Sequence, residues 1–341
     1  LHGTEGPSVV NFSAMEGLEL GLPGWHLLGE GREAEPWEYP MVMFPDGNAS
    51  VARLMVQQLI PAVAPGANAD NIALASFAYD QLDRPGHAVR LRLNATVVRV
   101  RNAEAGVNVN YVRDGRVLGV SARHAVLACY HSIIPHLCLD LPDTQREAQR
   151  YQVKMPLLLT NVLLRDSSAW DASGASDIWC PGRMHARIMR WEGNTAGGYD
   201  AGRWGREGAP LNLAFWGSVE EPPGDMTLKE RLRASRKRML SLTLEDYERE
   251  VRTTLDGALG PYGLDVKRDV LAVTVNRWPH GYSYYYYDLW DPDFEDGAYP
   301  HQVARKPFGN IAIANADAAA DAYTHAAMEE AYRAVGELPE V

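Results

Sequence analysis

The sequence lacks the marks of several common protein classes. Its three cysteines, Cys129, Cys138 and Cys180, show no CxxC or CxxCH spacing, so neither a zinc site, a dithiol redox pair nor c-type haem attachment is indicated. No apolar run reaches the roughly 18 residues that span a bilayer, so a membrane-spanning helix is not expected. The opening LHGTEGPSVV has no basic stretch followed by an apolar one, unlike a signal peptide, and the localisation stays open.

Positive charge is also scarce. The 33 Lys and Arg residues are outnumbered by 44 Asp and Glu residues, which gives a net charge of -11 at pH 7. Nucleic-acid partners are therefore not expected, because phosphate binding needs a positively charged face. A small cationic substrate fits this balance better, although many proteins are acidic for solubility alone.

Motifs of nucleotide binding and hydrolysis are missing as well. A glycine-rich GxGxxG turn between a strand and a helix cradles a dinucleotide pyrophosphate. Here the only candidate, GLELGLPG at 17–24, has neither that spacing nor that context. No P-loop, no HExxH and no Ser-His-Asp order occurs, and no metal site is predicted.

Periodicity predicts the local structure of the middle of the chain. Alternation of apolar and polar residues from about 90 to 122, with Asp114-Gly115 as a turn, predicts a three-stranded meander, and HAVLACY a buried strand after it. MVMF, PDGN and ASVARLMVQQLIPAV predict a strand, a turn and an amphipathic helix. Residues 166–222 show no such pattern and are expected to be rich in loops.

Two capping boxes mark helices in the second half. Thr227 with Glu230, and Thr243 with Asp246, predict helix starts within a helical stretch from 225 to 260, with Gly257 and Gly260 as stop signals.

The most specific element is the last strand and helix. The apolar stretch 311–314 runs into small residues at 315–320 and then into a helix that begins near Tyr323 and Thr324. Small residues allow a flat ligand close to the backbone, and the free N–H groups of a helix N-terminus attract an anion or an electron-rich carbonyl. An ordinary strand and helix without a ligand is the alternative.

These residues carry a resemblance to a known family. FGNIAIANADAAADAYTHAAMEEAYRAV resembles the C-terminal flavin segment of the monoamine and polyamine oxidases, and VRLRLNATVVRV with ARHAVLACYHSIIP resembles their adenine-side segment. PDGNASVARL, TNVLLR, VNRWPHGYSY and IANADA, in that order, are similar to the spermidine-dehydrogenase-like branch of the flavin (FAD) amine oxidase superfamily. The resemblance implies an α/β, FAD/NAD(P)-binding fold, C-terminal portion without the GxGxxG segment, with a substrate domain of a mixed sheet plus helices.

The resemblance also implies cofactor-binding residues. Val97 would contact the adenine through its backbone, Thr324 the flavin pyrimidine ring, and Asp317 would lie near the ribityl or pyrophosphate part. Asn315 and Ala326 stand where the family has glycines, so backbone approach there is expected to be less close. The full set is Asp46, Gly47, Asn48, Val97, Ala128, Asn315, Asp317, Tyr323 and Thr324.

Three aromatic residues are the implied catalytic set. Tyr282 and Tyr323 would flank the flavin face, where they exclude water and hold the amine, with Trp278 as support. The alternative is that a tyrosine in the run GYSYYYYDLW only packs in the core or lies on the surface. His280 could orient a substrate or a haem, but no motif supports haem, and a loop histidine is more often a surface residue.

One departure from the family concerns a lysine. Members place a lysine on the strand PLLLTNVLLR, where it holds a water against flavin N5, whereas this sequence has Thr160 and Asn161 there. Lys154 lies six residues earlier, which is about 20 Å along an extended strand. Slow reaction with oxygen is therefore expected, which favours a dehydrogenase with another electron acceptor.

The resulting prediction is an FAD-dependent enzyme that oxidises the C–N bond of an amine, such as the polyamine spermidine, by hydride transfer to flavin. A flavoprotein-like binding subunit with reduced catalysis is one alternative. An L-amino-acid oxidase is another, but it needs an arginine facing the substrate carboxylate, and spacing identifies none. The isolated chain is expected to bind FAD poorly without the missing N-terminal segment, a partner or a homo-oligomer. Substrate-domain pieces are expected at 1–42 and 142–275, and FAD-domain pieces at 43–141 and 276–341.

Overall fold

The computed structural model describes residues 43–190, 196–199, 209–219 and 224–339. The expected substrate-domain segment 1–42, which includes the glycine-rich stretch 17–24, lies outside the described residues. The strands that are described form a three-stranded, a two-stranded and a five-stranded sheet.

The three-stranded sheet is the predicted meander. Its strands pair antiparallel in sequence order and run β1 Thr96–Ala103, β2 Gly106–Arg113 and β3 Arg116–Ala122. Asp114 and Gly115, at φ 50° and 70°, form the turn between the last two strands. Two successive positive φ angles suit the right-handed twist of a tight hairpin, so the turn prediction is confirmed.

The two-stranded sheet joins distant parts of the chain. Strand β4 (Ala125–Leu127) pairs in parallel with a strand near the end of the chain, Ile311–Ile313, here called β10. Val100, Leu127 and Ile313 belong to the buried cluster packed around this pair. Since parallel strands end at the same edge of a sheet, the residues that follow β4 and β10 lie side by side.

The five-stranded sheet corrects two expectations. Its strands are β5 Leu157–Leu164, β6 Asp177–Trp179, β7 His185–Arg190, β8 Leu211–Gly217 and β9 Val270–Trp278, in the order β6-β7-β8-β5-β9. Every pairing is antiparallel, so the part of the chain that the structure describes does not contain the expected mixed sheet. Three of these strands fall in the stretch 166–222 that was expected to be loops; LNLAFWG is apolar on both faces and so shows no alternation.

Two of the helices begin at the predicted capping boxes. Their bounds are α1 Ala49–Leu59, α2 Ile134–Leu137, α3 Asp143–Tyr151, α4 Ser168–Ser173, α5 Leu228–Ser241, α6 Leu244–Leu259, α7 Val266–Asp269, α8 Pro300–Ala304 and α9 Thr324–Gly336. Both capping boxes are formed, at Thr227 and Thr243. The stop signal at Gly257 is wrong, because α6 continues through it and the left-handed residue is Gly263, at φ 96°.

Two further expectations concern segment ends. No strand forms at Met43 and Phe44, the described part of MVMF, because Phe44 accepts the turn hydrogen bond from Gly47. The expected domain boundary at Asn276 falls within β9, where Asn276 pairs with Leu159 of β5. The division into domains stays a prediction.

The five-stranded sheet packs one face on α6. Val162 of β5 and Phe215 of β8 lie in one buried cluster with Val251 and Leu255 of this helix. The other face of β5 begins at Leu157, which lies in a different cluster together with the loop after β9. Tyr282, one of the predicted site residues, packs against this second cluster.

Candidate functional site

Two helix N-termini meet at the predicted flavin end of the chain. Asn48 Nδ2 donates a hydrogen bond to Thr324 Oγ1 at 2.7 Å, which joins the start of α1 to the start of α9. Neither helix has a side-chain N-cap hydrogen bond. No N-cap side chain therefore occupies the first-turn N–H groups, although the Ser50 amide of α1 donates to the Gly47 carbonyl oxygen at 3.3 Å. Both helix ends carry partial positive charge. Asp46, also in the predicted set, accepts from the Ser50 hydroxyl at 2.6 Å within this turn.

A second pair of predicted residues meets at the ends of β4 and β10. Asn315 Nδ2 donates to the Ala128 carbonyl oxygen at 3.2 Å. Asn315 has φ 91°, a conformation that costs little only in glycine. Its side-chain oxygen accepts from the Asp317 amide at 3.1 Å and closes the turn. The backbone thus keeps a glycine-like path although the residue is asparagine.

Asp317 ties separate segments together. Its side chain is fully buried, and one carboxylate oxygen accepts from the His131 amide at 3.0 Å. The other accepts from the Tyr284 amide at 3.1 Å and pairs with Lys154 Nζ at 2.7 Å. Both oxygens are thus occupied by groups of the protein itself, and charge-assisted bonds of this kind are short and strong.

Lys154 joins this cluster through its ion pair with Asp317. It lies before strand β5, which begins at Leu157. Its ammonium is 2% exposed and lies 3.6 Å from the centroid of the Tyr130 ring. Burial lowers the pKa of Lys154, whereas the charge of Asp317 opposes that shift.

Thr160, at the position where the resemblance places a lysine, is engaged elsewhere. It is fully buried, and its hydroxyl lies 2.8 Å from His185 Nε2. Burial lowers the pKa of His185 to about 3, so the imidazole is neutral near pH 7. Thr160 shares the helix-packed face of β5 with Val162, since side chains alternate along a strand.

The three predicted aromatic residues differ in their surroundings. Tyr323 is 66% exposed beside the α9 N-terminus, and its ring stacks on that of His325 with centroids 5.7 Å apart. Trp278, at the end of β9, is 45% exposed. Tyr282 is half-buried against a cluster that includes Val153, so it also serves packing.

The loop that carries Tyr282 lies directly on the start of β5. The Gly281 amide donates to the Met155 carbonyl oxygen at 2.6 Å. A Cβ atom at Gly281 would lie 2.4 Å from Leu157 Cγ, so only glycine allows this approach. Val97, the predicted adenine contact, is 38% exposed at a register shift in β1, on the three-stranded sheet.

An aromatic cavity of about 300 Å³ lies beside Tyr282 and was not predicted as such. Its wall includes Tyr151, Tyr284, Tyr285, Tyr287 and Trp290, arranged around the carboxylate of Asp291. That side chain is 2% exposed and accepts from the Tyr151 hydroxyl at 2.6 Å. The aromatic run was the only sequence signal for this cavity; nothing marked Asp291 or Tyr151.

The chain itself places an ammonium group in this cavity. Lys229 Nζ lies 2.5 Å from Asp291 Oδ1 and 3.0 Å from the centroid of the Tyr151 ring. Burial, followed by the interaction with Asp291, raises the pKa of the Tyr151 hydroxyl, which stays protonated and donates. The cavity thus has the composition that a primary ammonium group requires, an anion with aromatic faces around it.

Comparison with known proteins supports the fold. No family model and no curated protein matches the sequence. A putrescine oxidase variant with redesigned cofactor binding is 18% identical over 74% of this chain and 49% of that chain, with a TM-score of 0.51. A cyclohexylamine oxidase from Brevibacterium oxydans is 17% identical over 70% and 47%, with a TM-score of 0.45.

The chain spans about half the length of the solved structures that it matches. At this level of identity the likeness concerns the fold, and it confirms the predicted α/β, amine-oxidase-like architecture. Among the described residues, no helix has the length and apolar character needed to cross a membrane. Within the same residues, no group of three or more His, Cys, Asp or Glu side chains could hold a metal ion.

Proposed function

We propose that this chain takes part in the FAD-dependent oxidation of the C–N bond of an amine. The carrying observation is that segments implied to bind flavin, far apart in sequence, meet through Asn48 and Thr324 and through Ala128 and Asn315. Bound FAD would supply the hydride acceptor. The chain's own part is to hold the flavin, exclude water and orient the amine.

The residues present fit a flavin ring. The uncapped N-terminus of α9 offers N–H groups to an electron-rich carbonyl of the ring. Between β10 and this helix stand the small residues 316, 319 and 320, which are half-buried and would allow a flat ligand close to the backbone. Tyr323, exposed at the same helix end, would form one aromatic wall, and Tyr282 the other.

A polyamine such as spermidine is the proposed substrate. Support comes from the net charge of -11 and from the aromatic cavity around Asp291, which already accommodates the Lys229 ammonium. Each cation–π contact contributes about 0.5–2 kcal/mol, depending on its exposure. The proposed electron acceptor is one other than oxygen, because Thr160 is engaged with His185 and Lys154 with Asp317.

Anaerobic reduction of bound flavin tests this proposal. The protein is loaded with FAD and mixed with spermidine, putrescine, cyclohexylamine or amino acids. Bleaching of the flavin by polyamines supports the proposal. Bound flavin that no amine reduces would instead indicate a binding subunit, and reduction by amino acids alone would indicate an amino-acid oxidase.

The cofactor is tested separately with the 341-residue chain alone. We expect it to bind FAD weakly, because it has no GxGxxG turn for the pyrophosphate. A preparation that retains FAD stoichiometrically through gel filtration would contradict this expectation.

A further inference from the structure

A second cavity, of about 330 Å³, lies on the other side of Val153 from the aromatic cavity. Its polar lining consists of Ser132, Arg150, Gln152, Arg233, Arg236 and His280. The His280 ring lies 6.0 Å from the ring of Tyr130, which in turn contacts the Lys154 ammonium. The cavity is thus adjacent to the cluster around Asp317.

The charge of this lining is positive. Among the described residues that line the cavity, three are arginines and none is a carboxylate. Among the residues that the structure describes, none of these arginines forms an ion pair with Asp or Glu, although the chain has 44 acidic residues. Other arginines of the chain are paired; Arg183 with Glu250, 2.7 Å apart, is one case. The described lining of this cavity thus carries a net positive charge.

Two of the arginines lie close enough to repel one another, and hydrogen bonds hold one of them, Arg236, in place. Arg233 and Arg236 are three residues apart on α5 and so lie on the same face of the helix. Arg236 Nε donates to the Pro279 carbonyl oxygen at 2.7 Å, and its Nη2 to that of Lys154 at 3.0 Å. These bonds fix its guanidinium at the cavity. Burial and then the charge of Arg233 lower the pKa of Arg236, as expected of cations without a counterion.

We propose that this cavity binds an oxyanion, the carboxylate or phosphate group of a small molecule. Arginine guanidinium groups match the planar geometry of carboxylate and the oxygen spacing of phosphate. Three of them converge on a volume that holds such a group and leaves space for the rest of the molecule. The site does not depend on flavin chemistry, so it stands whether or not the chain oxidises amines.

Binding of simple anions to the 341-residue chain tests the proposal. Inorganic phosphate, diphosphate, succinate and 4-aminobutyrate are each titrated by calorimetry and compared with chloride at equal ionic strength. Arg233→Gln and Arg150→Gln should each weaken binding about tenfold or more, because a hydrogen bond to a charged group contributes roughly 1.5–3 kcal/mol. Both arginines are exposed and carry no structural anchor, so both variants are expected to fold.

Lys237→Gln is the matched control, since it removes the same charge from the same helix at an exposed position outside the lining. The affinity of this variant for each anion should equal that of the unsubstituted chain. Preference for phosphates assigns the site to a phosphate group, and preference for succinate or 4-aminobutyrate assigns it to a carboxylate. The proposal is overturned if no anion binds better than chloride, or if Lys237→Gln weakens binding as much as Arg233→Gln.

Discussion

Replacement of Lys154 by Met tests how the site is held together. The change keeps most of the length of the side chain but removes the ammonium that pairs with Asp317 at 2.7 Å. Asp317 is fully buried and would keep only the amides of His131 and Tyr284 as partners. A buried carboxylate that loses its counterion is costly, because water cannot replace the lost partner.

The expected loss is about 3–5 kcal/mol of unfolding free energy, the usual cost of breaking a buried ion pair from one side. Arg84→Met is the control, because Arg84 and Asp80 form an ion pair whose side chains are 52% and 63% exposed. That variant should cost no more than about 1 kcal/mol.

A double-mutant cycle separates the pair from other effects of the substitution. Asp317→Asn removes the charge and keeps one side-chain oxygen, which can accept from one of the two amides, so the double variant no longer has an unpaired buried charge. It should be less destabilised than the sum of the single variants by about 2 kcal/mol or more.

Urea unfolding followed by circular dichroism gives these free energies. If Lys154→Met costs no more than Arg84→Met, or if the two single losses simply add, then the pair does not hold the site. In that case the four segments that meet at Asp317 are held by packing alone.

Two further predictions concern the aromatic walls and acid stability. In the FAD-loaded protein, Tyr323→Ala and Tyr282→Ala should each lower the specificity constant for amine-dependent flavin reduction roughly five- to thirtyfold, and Tyr→Phe much less. If the rates of amine-dependent flavin reduction are unchanged at equal flavin occupancy, both tyrosines serve packing only. Because the pKa of His185 falls from 6.5 to about 3 on folding, the unfolded chain takes up a proton below pH 6.5 that the folded chain does not. His185→Gln should therefore reduce the stability lost between pH 7 and pH 5 by up to about 2 kcal/mol in urea unfolding, and an unchanged pH slope would contradict it.

The sequence predicts those structural features whose signal comes from residues close together in the chain. The hairpin at Asp114-Gly115 and the capping box at Thr227 each depend on residues within a few positions, and both are present. Strands β6, β7 and β8 were not predicted, because they show no alternation of apolar and polar residues that distinguishes them from loops.

The candidate site depends on contacts that no local pattern encodes. Asp291 lies in the tyrosine-rich stretch, but its burial follows from Tyr151, 140 positions earlier. Lys154 pairs with Asp317, which lies 163 positions later in the chain. Pairings such as Asn48 with Thr324 could be expected only from resemblance to a family whose flavin segments meet.

The segment from Tyr151 to Lys154 links the two cavities. Tyr151 and Val153 face the aromatic cavity, whereas Gln152 and Val153 line the cavity with the arginines. This short wall is anchored at Gln152, whose amide nitrogen donates to the Pro300 carbonyl oxygen at 3.3 Å, and at Lys154 through Asp317. A cation site and an anion site thus lie on opposite sides of one chain segment and depend on the same anchors. A substitution that frees Lys154 from Asp317 should therefore disturb both cavities, although it touches the lining of neither.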